Sequence, residues 1–157
     1  MGKRPRYTQM RPAAYRAMKA MQDYVDGCGL EHELLELVKL RASYMNGCAF
    51  CVDMHSKDAR AAGEAEQRLY AVPVWRETPF FTPRERAALA WTEAVTEVGR
   101  SGVPDHVYEE ARGHFSDAEL VDLTMCVIAI NGWNRLAVSF RTEVGTYQPA
   151  KTADPRS

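Results

Sequence analysis

At 157 residues the chain is long enough for one domain with a sizeable core, and 46% hydrophobic and 26% charged residues are ordinary for a globular protein. Twenty basic residues against twenty-one acidic ones leave a formal charge of −1, which argues against a general nucleic-acid or anionic-membrane surface. The longest apolar run, 125–130, stops at Asn131, far short of the roughly 18 residues that span a bilayer, so a cytoplasmic protein with no membrane partner is expected.

Residues 1–11 include the basic, proline-marked Lys3-Arg4-Pro5-Arg6, followed by no apolar signal core, and are expected to form an N-terminal arm. From Pro12, Tyr15, Met18, Met21 and Tyr24/Val25 recur at helical period, and Gly27 and Gly29 supply a stop. A second helix from about Glu31 carries Leu34, Leu37/Val38, Arg41/Ala42 and Met45 on its inner stripe and ends at Asn46-Gly47. Glu36 lies near the edge of that stripe and, taken alone, reads as a solvated helix-face carboxylate. Gly47 lets the chain turn directly into a third helix, with Cys48 at or near its N-cap, Cys51 in the first turn and His55 in the second. Ala59, Ala61 and Ala62 carry that helix to Gly63.

A short helical piece over 64–70 precedes an irregular, aromatic- and proline-rich segment over 72–81. Thr82-Pro83-Arg84-Glu85 is a capping box with proline at the first helical position, opening a helix to Gly99. After the Ser101-Gly-Val-Pro104 break a short helix runs to Arg112. Ser116-Asp-Ala-Glu119 is a second capping box, and it opens the longest helix, 120 to about 140. That helix is apolar on most sides early on, as expected for burial in a large core or a subunit interface. Residues 146–157 read as a loose tail. With no βαβ alternation, strand-period run, internal repeat or low-complexity segment, the chain reads as a single all-α helical domain over 12–145.

The chemistry concentrates between Glu36 and His55. On a helix, Cys48, Cys51 and His55 fall on one stripe. A cysteine that exchanges disulfides or attacks a peroxide must be a thiolate, and a helix N-terminus favours negative charge. On residues alone this field favours Cys48, the more N-terminal thiol, as the exposed one. His55 can take the thiol proton or stabilise the thiolate, and Glu36 can stand behind the imidazole to orient it. The C-x-x-C spacing lets one sulfur close on the other once the latter is oxidised to sulfenic acid.

Rival readings exist for each part. A Cys-Cys-His zinc site is the main one, yet no second cysteine or histidine pair lies at finger spacing. His106 and His114 sit unpaired on other helices. A thioredoxin fold would need strands around the motif. Cys28 and Cys126 read as packing residues, Asp53, Lys57 and Asp58 as a solvated face, and Trp91, Trp133 and Phe140 as core or interface.

The Glu36…Cys48-x-x-Cys51-x-x-x-His55 constellation resembles the AhpD-like alkylhydroperoxidase branch of the carboxymuconolactone decarboxylase superfamily. The resemblance covers about residues 12–145. Asn131-Gly-Trp-Asn-Arg-Leu-Ala-Val-Ser-Phe-Arg141 also looks like the last core helix of small members, without an assigned role. What the resemblance implies is a compact helical protomer assembled into trimers or hexamers, with no cofactor or metal of its own. It implies reduction of small hydroperoxides through a Cys48–Cys51 disulfide: Cys51 attacks, Glu36 and His55 relay the proton, and Cys48 resolves. The reductant it implies is a dihydrolipoyl group, as in dihydrolipoamide, on a partner protein. Where some members carry a histidine between the cysteines, this chain has Ala49-Phe50. Carboxymuconolactone decarboxylation itself needs no thiol pair, and a non-catalytic redox sensor is the reading from another class.

Overall fold

The computed structural model describes residues 4–150, so residues 1–3 of the arm and 151–157 of the tail lie outside the described residues. The architecture is all-α, and no strand occurs among the described residues. Helices α1 (Tyr7–Met10), α2 (Pro12–Asp26), α3 (His32–Met45) and α4 (Ala49–Ala61) precede α5 (Glu66–Ala71) and a 3-10 stretch, Val72–Glu77. Then come α6 (Pro83–Thr96), α7 (Val98–Ser101), α8 (Asp105–Arg112) and α9 (Asp117–Phe140). None is long and apolar enough to cross a membrane among the described residues.

Both capping boxes form. The Thr82 hydroxyl accepts from Glu85 N–H at the head of α6, and the Ser116 hydroxyl accepts from Glu119 N–H at the head of α9. Arg84 ties these two helix starts together, reaching Glu31 and Glu119 from one guanidinium.

The most enclosed helix is α3, not the longest one. From Leu34 to Ser43 every residue except Arg41 is buried, because α3 packs against α4, α6 and α9 at once. Such all-round burial suits a central helix, and full burial of each leucine contributes about 1.5–3 kcal/mol. The apolar outer positions of α9 (Val121, Ile128, Val138) stay exposed instead. One core cluster joins Val25, Leu34, Val38, Ala88, Trp91, Leu123 and Val127; a second joins Leu37, Leu40, Leu69, Trp75 and Leu89. A third, smaller cluster holds Cys48 and Cys51 against Ala42, Ile130 and Ala137.

The 72–81 segment is less irregular than its composition predicts. Its 3-10 stretch is pinned from a distance: the Trp75 indole donates to Glu93 at 2.7 Å, and Arg41 donates to the same carboxylate at 2.8 Å. The predicted helix to Gly99 breaks at Glu97 (φ −100°, ψ 21°) and restarts as α7. The segments around Tyr7 and Tyr147 are also tied down. Part of the arm forms α1, whose Tyr7 ring meets Phe140 at 5.6 Å. The tail is not loose at Tyr147, whose carbonyl accepts from Lys57 at 3.0 Å and whose hydroxyl donates to Asp58 at 2.7 Å.

Candidate active site

The site begins at a turn. Gly47 adopts φ +63°, a left-handed conformation that ends α3, and Cys48 N–H reaches back to Ser43 C=O at 3.0 Å. Cys48 is thereby the N-cap of α4, and its Sγ accepts from Cys51 N–H at 3.3 Å. The two cysteines pair as a disulfide with Cα atoms 5.4 Å apart, inside the usual span for such a bond.

His55 follows one turn later and is buried. Its Nδ1 lies 2.9 Å from Glu36 Oε2, while Lys39 Nζ donates to Glu36 Oε1 at 2.9 Å. An ionised carboxylate only accepts, so Nδ1 carries a hydrogen, and in the neutral imidazole Nε2 is left as the proton acceptor. Burial pushes the Glu36 carboxyl up, but the hydrogen bonds and charges of His55 and Lys39 outweigh it and bring the pKa down to about 2. Burial likewise pushes Lys39 down, and Glu36 more than restores it, leaving its pKa above the ordinary lysine value. Glu36 is therefore a buried anion held between two donors, not the solvated carboxylate expected.

These groups line a cavity of about 1080 Å³. Cys51, His55, Glu36 and Lys39 lie on its wall, with Phe50, Met54, Trp133 and Phe140 as apolar lining. Cys48 is 1% exposed and does not line it. The expectation that the more N-terminal thiol is the exposed one is not met: Cys51 is as buried as Cys48, at 2%, both pack with Ile130 and Ala137, and only Cys51 lines the cavity. Of the other two thiols, Cys126 is deeply buried, which pushes its pKa up to about 12, and Cys28 packs against the same core. Both belong to packing.

Asp58 is not a solvated residue either. It lines the cavity, accepts from Tyr147, and together with Glu36 and His55 offers three ligand atoms all within 4.8 Å of one another. Their donor chemistry would suit a divalent cation, but Lys39 already occupies one Glu36 oxygen and Tyr147 one Asp58 oxygen. With those charges engaged, the arrangement suits holding and moving a proton. Trp91 lies in the core as expected, whereas Trp133 and Phe140 face the cavity.

The structure brings Glu36, Cys48, Cys51 and His55 together as the spacing implied. Sequence reading missed Lys39, Asp58 and Tyr147. Lys39 had a usable signal, since a lysine three residues after a glutamate shares its helix face. Tyr147 had none, because it comes from a distant, non-helical segment.

The sequence profile of the carboxymuconolactone decarboxylase family matches residues 12–94. The chain belongs to that family. YdfG of Bacillus subtilis (strain 168), an uncharacterized relative, is 40% identical over 139 residues, which are 88% of this chain and 95% of its own. A crystal structure from Agrobacterium tumefaciens, of a protein of unknown function provisionally described as an AhpD antioxidant defence protein, is 47% identical with a TM-score of 0.90. It covers 93% of this chain and 100% of its own. An uncharacterized peroxidase-related protein from Ralstonia eutropha JMP134, described as an alkylhydroperoxidase AhpD core, is 25% identical with a TM-score of 0.77, covering 88% of this chain and 74% of its own. The family chain therefore has the AhpD-like all-α fold that its Glu36-to-His55 stretch suggested.

Proposed function

We propose that the chain is a thiol-dependent peroxidase that reduces hydroperoxides through the Cys48–Cys51 pair. The observation that carries this reading is that Cys51, and not Cys48, shares a cavity wall with the His55–Glu36–Lys39 array. In the dithiol state His55 takes the Cys51 proton at Nε2, with Glu36 bonded to Nδ1 steadying the imidazolium. The Cys51 thiolate attacks the terminal peroxide oxygen. An S–O bond forms, the O–O bond breaks, and the departing alkoxide takes the proton from His55 to leave as alcohol. Cys48 then attacks the Cys51 sulfenic acid, forming the disulfide and releasing water. A dithiol of the dihydrolipoyl type returns two electrons and two protons.

Cytoplasmic location, where such a reductant keeps the pair cycling, and assembly into trimers or hexamers are parts of the same proposal. The exposed apolar side chains Val121, Ile128 and Val138 on α9 support an interface.

The test is peroxide consumption by metal-free, reduced protein with dihydrolipoamide as electron source and an organic hydroperoxide as oxidant. Cys51→Ser should abolish turnover, and Cys48→Ser should leave a sulfenic acid that dimedone traps. His55→Ala and Glu36→Gln should each slow the reaction by about 10²–10⁴-fold, the contribution of positioned acid–base groups. One stoichiometric oxidation without turnover would replace the peroxidase reading with that of a redox sensor.

A further inference from the structure

We propose that Asn46 and Asn134 are positioning residues for the cysteine pair: their side-chain bond clamps the α3–α4 corner onto α9 and sets how strongly the Cys48–Cys51 disulfide is favoured. Asn46 caps the end of α3, two residues before Cys48. Its amide donates to Asn134 Oδ1 at 2.9 Å and to Asn131 Oδ1 at 3.0 Å. Asn134 is fully buried, and its own amide donates to Ser43 Oγ at 3.0 Å. Asn131 is fixed in turn, donating to Thr96 Oγ1 at 3.0 Å and accepting from Arg135 at 2.8 Å. These residues belong to the Asn131-Gly-Trp-Asn134-Arg135 stretch to which the proton relay gives no part.

The placement is specific. Asn134 lies on α9 between Ile130 and Ala137, the residues that pack on Cys48 and Cys51. One face of α9 therefore supplies both the apolar wall behind the sulfurs and the amide that grips the turn before them. The turn itself pivots on Gly47, whose left-handed conformation has no side chain to brace it. With the clamp in place, Cys48 Sγ is presented to Cys51 before any bond forms, so the effective concentration of one thiol at the other is high. Without it the dithiol samples more conformations and the disulfide becomes easier to reduce.

This inference requires only that the two thiols cycle, whatever the oxidant, so its test contains no peroxide. The full chain is equilibrated with mixtures of lipoic and dihydrolipoic acid. In that exchange two protein thiols become one disulfide while the lipoyl disulfide takes up the two electrons and two protons. Asn46→Ala and Asn134→Ala should each lower the equilibrium constant for disulfide formation about tenfold, equal to about 30 mV for this two-electron couple. Thr124→Val is the matched control: it removes another interhelix bond to α9, from Trp91 Nε1 at 3.0 Å, far along the helix from the cysteines. It should lower the melting temperature and leave the equilibrium constant within twofold of wild type. Should Asn134→Ala not fold, Asn46→Ala alone decides, because Asn46 is only partly buried. An unchanged constant in the folded asparagine variants, or an equal shift in Thr124→Val, would overturn the clamp.

Discussion

Lys39, itself buried, places its ammonium 2.9 Å from the buried Glu36 and 3.8 Å from the half-exposed Asp26. Removing one partner of such a buried pair costs about 3–5 kcal/mol, so Lys39→Met should lower the urea midpoint substantially. It should also shift the acid limb of the pH profile of the proposed peroxidase activity to higher pH, because Glu36 loses a charge that holds its pKa near 2. The sign for the wild type follows from the same depression. Glu36 stabilises the fold fully above its ordinary value of 4.5, and that stability is lost as pH falls from there towards 2. Acid unfolding followed by circular dichroism, with Glu36→Gln as reference, measures this window. That Glu36 is an anion in the interior was not legible from its position on one helical stripe. The period shows which residues face the same way but not that α4 closes over that edge.

At the scale of elements, the capping boxes of α6 and α9, the α3–α4 break and Cys48 as N-cap were all readable, since each is decided within four or five residues. The 3-10 stretch was not, because its order comes from Glu93, far along the chain. The exposed side of α9 was readable only in part, because its apolar pattern pointed to a large core or a subunit interface without saying which positions stay open in the protomer. The corner at Gly47 gives a clean test of local backbone cost. An added Cβ would meet nothing within 4 Å, so only the left-handed φ resists it. Gly47→Ala should destabilise by roughly 1–2 kcal/mol, and Gly47→Asn by less, since asparagine tolerates this region. Chemical denaturation of the two variants checks the order. By contrast, a methyl at Gly132 would come within 2.7 Å of Met18, where α2 crosses α9 closely.

At the scale of the whole molecule, the first and last segments of the described residues meet over one cavity. The arm reaches it through Tyr7 and the C-terminal segment through Tyr147, with Cys51 and His55 on the wall between. Burial and the bond to Asp58 push the Tyr147 pKa up to about 12, so its hydroxyl remains a donor throughout the neutral range. Tyr147→Phe should release that end, and the dithiol protein should then react several-fold faster with a bulky thiol reagent. An unchanged rate would mean that the segment stays seated through the Lys57 bond to its carbonyl.

The division of labour along the chain has an evolutionary corollary. The four side chains of the proposed thiol pair and relay come from a single short run, Glu36 to His55, whereas much of the chamber around them comes from the segments around Tyr7 and Tyr147 and the end of α9. Drift in the ends can therefore retune which molecules enter without disturbing what happens to them. Grafting the run alone into another helical protein would carry over the reagents but not the vessel.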